Sequence, residues 1–118
     1  MCMEFLSQDF TCHFPHALFL VPCSDCVSMD DLFERMCERL LFPDFFWFGN
    51  RWDSLVDCLM DLSWIDADNI TIYFSGFELM CVNLDPRESG EFIRTIQFVV
   101  NNSHQRKPKH KQLRIIVD

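Results

Sequence analysis

The stretch FPDFFWFGNRWDSLVDCLMDL, residues 42–62, determines most of what the sequence predicts about the fold. Pro43 ends the helical pattern before it, because proline inside a helix removes a backbone hydrogen bond. After Gly49 and Asn50, apolar residues recur at helical spacing as far as Leu62, which predicts a second helix. The stretch is therefore interpreted as an aromatic turn between two helices.

The outer face of this second helix carries aspartate at every fourth position. The three residues are Asp53, Asp57 and Asp61. Side chains four residues apart lie on one helix face, and like charges there cost a few tenths of a kcal/mol per pair. A solvated surface is the ordinary explanation of such a charge run. The sequence offers no lysine four residues away that would relieve the repulsion, so the stripe is also a candidate binding surface.

Around this stretch, the pattern predicts alternating strands and helices. Three short apolar runs suit strands buried on both faces, and two further segments have helical spacing. The predicted strands are 17–21, 70–74 and 113–117, and the further helices are 28–41 and 86–102. The fold class is therefore α/β, a single small domain over residues 1–118 with a three-stranded, mostly parallel sheet packed by helices. Residues 1–16 are compatible with an extra edge strand, and 101–111 are a polar loop before the last strand.

Charge is distributed unevenly along the 118 residues. Residues 1–105 hold 17 acids and five bases, whereas residues 106–118 hold five bases and one acid. An acidic body is repelled by nucleic acid, which binds through Lys and Arg contacts to phosphate. It attracts and steers a basic partner instead. The basic tail is interpreted as a solvated loop, because five bases without interleaved aromatics are a weak nucleic-acid footprint.

The compartment and redox state are inferred from what the sequence lacks. The first basic residue is Arg35, so a positively charged signal region is missing, and the run 17–21 is too short to span a bilayer. The expectation is a cytoplasmic protein without a membrane partner. Seven cysteines, among them Cys37 and Cys58 inside helical patterns, indicate reduced thiols packed as small apolar groups.

Two other kinds of chemistry have some support in the sequence. Cys23 and Cys26 form a C-x-x-C motif that Cys12 and His16 would complete as a zinc set, but the upstream spacing is irregular. A thioredoxin-type motif is disfavoured, because no helix starts directly after the first cysteine. Paired carboxylates at positions 53 and 57 suit acid–base work or Mg²⁺, yet no phosphate loop or nucleophile–base set accompanies them. The sequence therefore predicts no enzyme, no cofactor and no metal.

Aromatic residues next to the aspartate stripe favour a binding surface. The segment 42–49 contains five aromatics in eight residues, and a turn before a helix can hardly bury all of them. Aromatic rings beside unpaired carboxylates are typical of a hot-spot surface for a cationic partner.

Residues 31–64 resemble the barstar family, the intracellular inhibitors of bacterial ribonucleases. The resemblance is carried by DLFERMCERLLFPDFF followed by FGNRWDSLVDCLMDLSW. It rests on the order and spacing of Gly49, Trp52, Asp53, Leu55, Asp57 and Leu59. The strand and helix order inferred for the rest of the chain agrees with the small α/β fold of that family.

The resemblance also implies site residues. Asp57 would enter the nuclease active site in place of a substrate phosphate, with Asp53 as a second acid on the same face. Val56 stands where the family often has tryptophan, and Gln97 and Phe98 lie near the position of the family's further acidic contact. The complete expected surface is Trp47, Phe48, Gly49, Asn50, Arg51, Asp53, Val56 and Asp57.

The functional hypothesis is a ribonuclease inhibitor, or toxin immunity protein, that performs no chemistry. It is expected to be a monomer that forms a 1:1 complex with a basic ribonuclease toxin. The alternative is a binding or regulatory protein that keeps the barstar fold and takes a non-nuclease partner through the same surface.

Overall fold

The computed structural model describes residues 2–7, 16–102 and 112–118. Four strands and four α-helices lie within these ranges, together with a short 3-10 helix at Asp44–Trp47. The order along the chain is β1 (Met3–Leu6), β2 (His16–Pro22), α1 (Met29–Leu40), the 3-10 helix, α2 (Arg51–Asp61), β3 (Asn69–Ser75), α3 (Phe77–Cys81), α4 (Pro86–Asn101) and β4 (Gln112–Val117). Most of the predicted loop 101–111 and the basic residues 106–111 lie outside the described residues.

The strands form one mixed sheet in the order β1-β4-β3-β2. The pairs β2–β3 and β3–β4 are parallel, whereas β1 is antiparallel to β4. The α/β class and the mostly parallel sheet are confirmed. The sheet has four strands rather than the three predicted, because β1 lies at the edge beside β4, within the residues 1–16 that are compatible with an extra edge strand. Its four residues are too few for a reliable strand pattern in a sequence.

One face of the sheet carries the core, and the other face is partly open. On the core face, Phe19, Ile72 and Ile115 lie side by side in register. The opposite face exposes Leu18 and Leu20 of β2, which are 69% and 51% accessible. The expectation that segment 17–21 is buried on both faces is therefore wrong. Of the three predicted runs, the central strand β3 matches a fully buried strand best.

The three long helices begin where the capping residues predict. The Ser28 side chain accepts a hydrogen bond from the Asp31 backbone N–H at the start of α1. At the start of α4, Asp85 accepts from the Arg87 N–H, and Pro86 occupies the first helical position.

No helix in the described residues is long and apolar enough to cross a membrane.

The short helix α3 was not predicted from the sequence. It follows Gly76, whose φ of +75° suits glycine, and where a Cβ would lie 2.5 Å from the Cβ of Ser24. The backbone N–H groups of Phe77 and Glu78 donate to the backbone oxygen of Asp118. This contact joins the first turn of α3 to the residue that follows β4. Five residues are too few to show a helical period.

Candidate functional site

A chain of ring contacts runs beneath the turn between α1 and α2. From one end to the other, it joins Trp64, Phe42, Phe46, Phe33 and Trp52, with centroids 6.0, 5.4, 5.7 and 5.3 Å apart. Phe46 is fully buried at its middle. Tilted and edge-on ring pairs at such distances stabilise the fold beyond the apolar area that they bury. The chain therefore fixes the turn against both helices.

The same turn places three other rings at the surface. We name residues 41–48 the aromatic turn. Phe45, Trp47 and Phe48 are 43%, 37% and 73% accessible, whereas Phe42 and Phe46 point into the core. The expectation that the turn cannot bury all its aromatics is thus met. Exposed rings on a backbone held by buried rings are suited to binding, because little conformational freedom remains to be lost.

The first turn of α2 is fixed by its cap. Asn50 Oδ1 accepts hydrogen bonds from the backbone N–H groups of Trp52 and Asp53, at 2.8 and 3.2 Å. Gly49 has a φ of +76°, and Ser54 Oγ donates to the Phe48 carbonyl at 3.4 Å. These contacts orient the start of α2 relative to the aromatic turn.

Replacing Asn50 with alanine should lower the free energy of unfolding by about 1 kcal/mol, because two N–H groups of the first turn lose their acceptor. Urea unfolding followed by circular dichroism measures the change. Asn83, an exposed asparagine that follows α3, is the matched control. Its replacement with alanine should change the stability by less than about 0.5 kcal/mol. Equal stabilities for the two variants would contradict the capping role.

The aspartate stripe lies on the surface of α2 as expected. Asp53 and Asp57 are exposed, and Asp61 is partly buried. Asp53 lies in the first turn, where the positive end of the helix dipole stabilises a carboxylate and offsets part of the repulsion. Within the described residues, neither Asp53 nor Asp57 forms a salt bridge or accepts a side-chain hydrogen bond. The pair is thus available to an external cation.

The Arg51 side chain contacts Trp47 and Asp30 of the same protein. Its guanidinium carbon lies 5.1 Å from the centroid of the Trp47 ring, and its Nε is 3.8 Å from Asp30 Oδ1 in α1. A guanidinium over an indole face is an attractive arrangement. The positive charge beside the aspartate stripe is therefore directed to Trp47 and Asp30.

Val56 is partly buried and packs against the core, so it adds little exposed area between Asp53 and Asp57.

Trp52 contributes to the lining of two open grooves. One, of about 380 Å³, is lined by the start of α1, by Gly49 to Trp52 and by Glu88. The other, of about 540 Å³, is lined by Trp52 and by residues 85–94 at the start of α4. Glu88 lies on both grooves and was not among the predicted site residues. Its only sequence signal was its place near the start of a helix, which says nothing about its distance from α2.

The two cysteines of the C-x-x-C motif lie in the interior of the protein. Cys23 and Cys26 are buried, and Cys23 Sγ donates to the Ser75 carbonyl oxygen at 3.1 Å. Burial raises the pKa of the Cys23 and Cys58 thiols to about 12 and that of Cys37 to about 11. A nucleophilic or metal-binding cysteine needs the thiolate, which a raised pKa disfavours. Among the described residues, no group of three or more His, Cys, Asp or Glu side chains is arranged to hold a metal ion, and Cys12 lies outside them.

The raised pKa values of Cys23, Cys37 and Cys58 predict a loss of stability at alkaline pH. In the unfolded chain a thiol ionises near pH 8.5–9, roughly, whereas in the folded chain these thiols keep their protons to higher pH. The folded state therefore binds more protons, and the free energy of unfolding decreases as the pH rises above the unfolded value. Urea unfolding at pH 7.5 and pH 9.5 in a reducing buffer should show this decrease. A stability that is unchanged or higher at pH 9.5 would contradict it.

Comparison with known proteins agrees with this arrangement. The family described as Barstar (barnase inhibitor) matches residues 16–116, which include both long parallel strand pairs, the aromatic turn and the aspartate stripe. Searches of curated proteins and of solved structures gave no match. A family match over most of the chain, together with a mixed sheet packed by helices, shows that this chain belongs to the barstar family.

Proposed function

We propose that this chain inhibits a basic ribonuclease toxin by inserting the exposed acids of α2 into the active site of that enzyme. A ribonuclease active site presents cationic groups that bind phosphate. A fixed carboxylate can accept the same charge-assisted hydrogen bonds. In this complex Asp57 replaces a substrate phosphate, Asp53 contacts a neighbouring cation, and the inhibitor performs no chemistry.

The observation that carries the proposal is that Asp53 and Asp57, on an exposed and capped helix, have no ion-pair or side-chain hydrogen-bond partner among the described residues. Two carboxylates without internal partners lower the stability of the free protein slightly. A cationic partner converts that repulsion into attraction. Some other surface acids are paired within the protein, since Asp25 pairs with Arg35 and Glu91 pairs with Arg94.

The remaining predicted residues have two supporting roles. Trp47 and Phe48 present ring surface, whereas Gly49 and Asn50 set the direction in which α2 leaves the turn. Arg51 is engaged by Trp47 and Asp30, which reduces the repulsion between its charge and a cationic partner.

Residues 1–105 have 12 more acids than bases and favour association with a basic protein. We propose a monomer in a 1:1 complex within the cytoplasm.

Affinity capture with this chain as bait tests the proposal. Proteins bound from an extract of the source cell are released by mild denaturant, refolded and assayed on a fluorogenic RNA substrate. The expected result is a released ribonuclease activity that falls to zero when one equivalent of the inhibitor is added. A bait with both Asp53 and Asp57 replaced by alanine is the control and should recover much less activity. Captured proteins without ribonuclease activity would contradict inhibition and favour a non-nuclease partner.

A further inference from the structure

The two open grooves that Trp52 lines also share Glu88. Glu88 belongs to the first turn of α4 and is exposed, whereas Trp52 belongs to the first turn of α2 and is partly buried. A residue that lines both grooves lies where they meet. The Glu88 carboxylate and the Trp52 indole therefore lie together at the junction of the grooves.

Glu88 differs from the other charged side chains of these grooves. Each of the others has an oppositely charged partner in the same groove. The pairs are Arg87–Asp85 at 3.3 Å, Arg94–Glu91 at 2.8 Å and Arg51–Asp30 at 3.8 Å. Among the described residues, the Glu88 carboxylate has no ion-pair or side-chain hydrogen-bond partner. The described lining of each groove therefore carries one negative charge that it does not neutralise.

The place of Glu88 in α4 provides a structural explanation for part of this arrangement. It is the third residue of the helix, where the positive end of the helix dipole stabilises a carboxylate. That effect accounts for an acid in the first turn. It does not account for an indole from another helix beside the acid, or for the pairing of every neighbouring charge except this one.

The walls of the smaller groove suit the stem of a long basic side chain. In this groove, of about 380 Å³, Met29, Phe33 and Trp52 supply apolar surface next to Glu88. The rings of Phe33 and Trp52 meet edge-on, with centroids 5.3 Å apart, which fixes the indole. Lysine and arginine lay their methylene stems along apolar surface, and their cationic groups are attracted to an indole face. An apolar wall beside a single uncompensated carboxylate therefore matches such a side chain.

The grooves adjoin the proposed inhibitory surface. Trp52 directly precedes Asp53, and it lies five residues, or about 7.5 Å along the helix axis, from Asp57. A specific complex buries about 800 Å² on each partner, which corresponds to a disc of about 16 Å radius. A ribonuclease whose active site holds Asp57 therefore reaches Trp52 and the groove junction.

We propose that Glu88 and Trp52 bind one arginine or lysine side chain of the ribonuclease, outside the pocket that Asp57 fills. The Glu88 carboxylate accepts a charge-assisted hydrogen bond from the cationic group, and the indole contacts the stem. This inference rests on the proposed function and adds a second cationic contact to it. The contact lies at the start of α4, about 15 Å along the helix from Phe98, where the family's further acidic contact falls.

The test is Glu88→Gln, measured by isothermal titration calorimetry with the captured ribonuclease. Glutamine keeps the size of the side chain and also suits the third position of a helix, so the melting temperature should not change. The affinity should fall about tenfold, which is the loss expected when a hydrogen bond between charged groups loses one charge.

Glu38→Gln is the matched control. It removes the same charge from an exposed position of α1. Glu38 follows Phe33 by five residues, which places it on the other side of α1 from the ring that contacts Trp52. Its affinity should stay within about twofold at about 0.15 M salt, where exposed charges more than about 8 Å apart are largely screened.

Trp52→Phe and the double variant with Glu88→Gln show whether the two side chains bind the same group. Phenylalanine keeps a ring against Phe33 but presents a smaller face to the cation. If one basic side chain contacts both residues, the losses of affinity should not be additive. Losses that add would overturn the shared contact.

The outcomes separate this inference from the proposed function. If Asp57→Ala weakens binding while Glu88→Gln binds like the original protein, the inference is wrong and the proposed function stands. Equal losses for Glu88→Gln and Glu38→Gln would reflect net charge alone and would also overturn the inference. If the chain binds no ribonuclease at all, the proposed function fails, and this inference fails with it.

Discussion

Replacing Asp57 with alanine is expected to weaken binding to the ribonuclease by about 3–5 kcal/mol, which is at least a hundredfold in the dissociation constant. In the complex this carboxylate is desolvated against cationic groups, and its removal leaves those charges buried without a partner. The stability of the free protein should stay the same or rise by a few tenths of a kcal/mol, because repulsion along the stripe decreases. Titration calorimetry and urea unfolding measure the two effects.

Asp61→Ala is the matched control for this prediction. Asp61 lies one turn further along α2, and it is partly buried where Asp57 is exposed. The proposed complex uses Asp53 and Asp57, so Asp61→Ala should leave the affinity within about twofold, which is less than about 0.5 kcal/mol. Equal losses for Asp57→Ala and Asp61→Ala would indicate a general charge effect. Such a result would contradict the insertion of Asp57 into a specific pocket.

The second large effect is expected on stability, from Phe46→Ala. The Phe46 ring is fully buried and contacts the rings of Phe33, Phe42 and Trp47. Its removal should lower the free energy of unfolding by about 3–5 kcal/mol, because a cavity opens where the aromatic turn meets both helices. Urea unfolding monitored by fluorescence is the direct measurement.

Phe48→Ala is the control, since it removes the same side chain from the same turn at 73% accessibility. Its effect on stability should be below about 0.5 kcal/mol, while ribonuclease binding should weaken. The pair of variants thus separates the inward and outward rings of the aromatic turn. Similar stability losses for Phe46→Ala and Phe48→Ala would show that the proposed division is wrong.

Local signals predicted the long helices well. The caps at Ser28, Asn50 and Asp85 each accept backbone hydrogen bonds where the pattern places a helix start. These signals depend on residues within one or two turns of each other, so they are visible in the sequence. The same holds for the aspartate stripe, whose shared helix face follows from spacing alone.

Features that depend on distant residues were not predictable in the same way. An apolar run such as residues 17–21 does not reveal whether its strand is central or at an edge, and β2 proves to be an edge strand with two exposed leucines. The short β1 and α3 lack the length to show a period. At the site, the contact of Arg51 with Asp30 and the approach of Glu88 to Trp52 depend on how α1, α2 and α4 pack.

The open side of the sheet and the acidic side of the helices have different chemistry. Leu18 and Leu20 lie on a sheet face that no proposed role uses, whereas Asp53 and Asp57 lie on a helix that the aromatic turn fixes. The proposed inhibitory surface is therefore built on the layer of helices. Its acids are local in the sequence, but their orientation depends on the buried rings beneath the turn.

Competition with a nucleotide tests the central claim most directly. The ribonuclease is titrated with this chain in rising concentrations of a 3′-mononucleotide, which occupies the phosphate site of the enzyme without being cleaved. If Asp57 enters that site, the apparent dissociation constant should increase in proportion to the nucleotide concentration, and saturating inhibitor should displace the nucleotide completely. An affinity that stays constant at saturating nucleotide would show that both bind at once, and it would contradict the account.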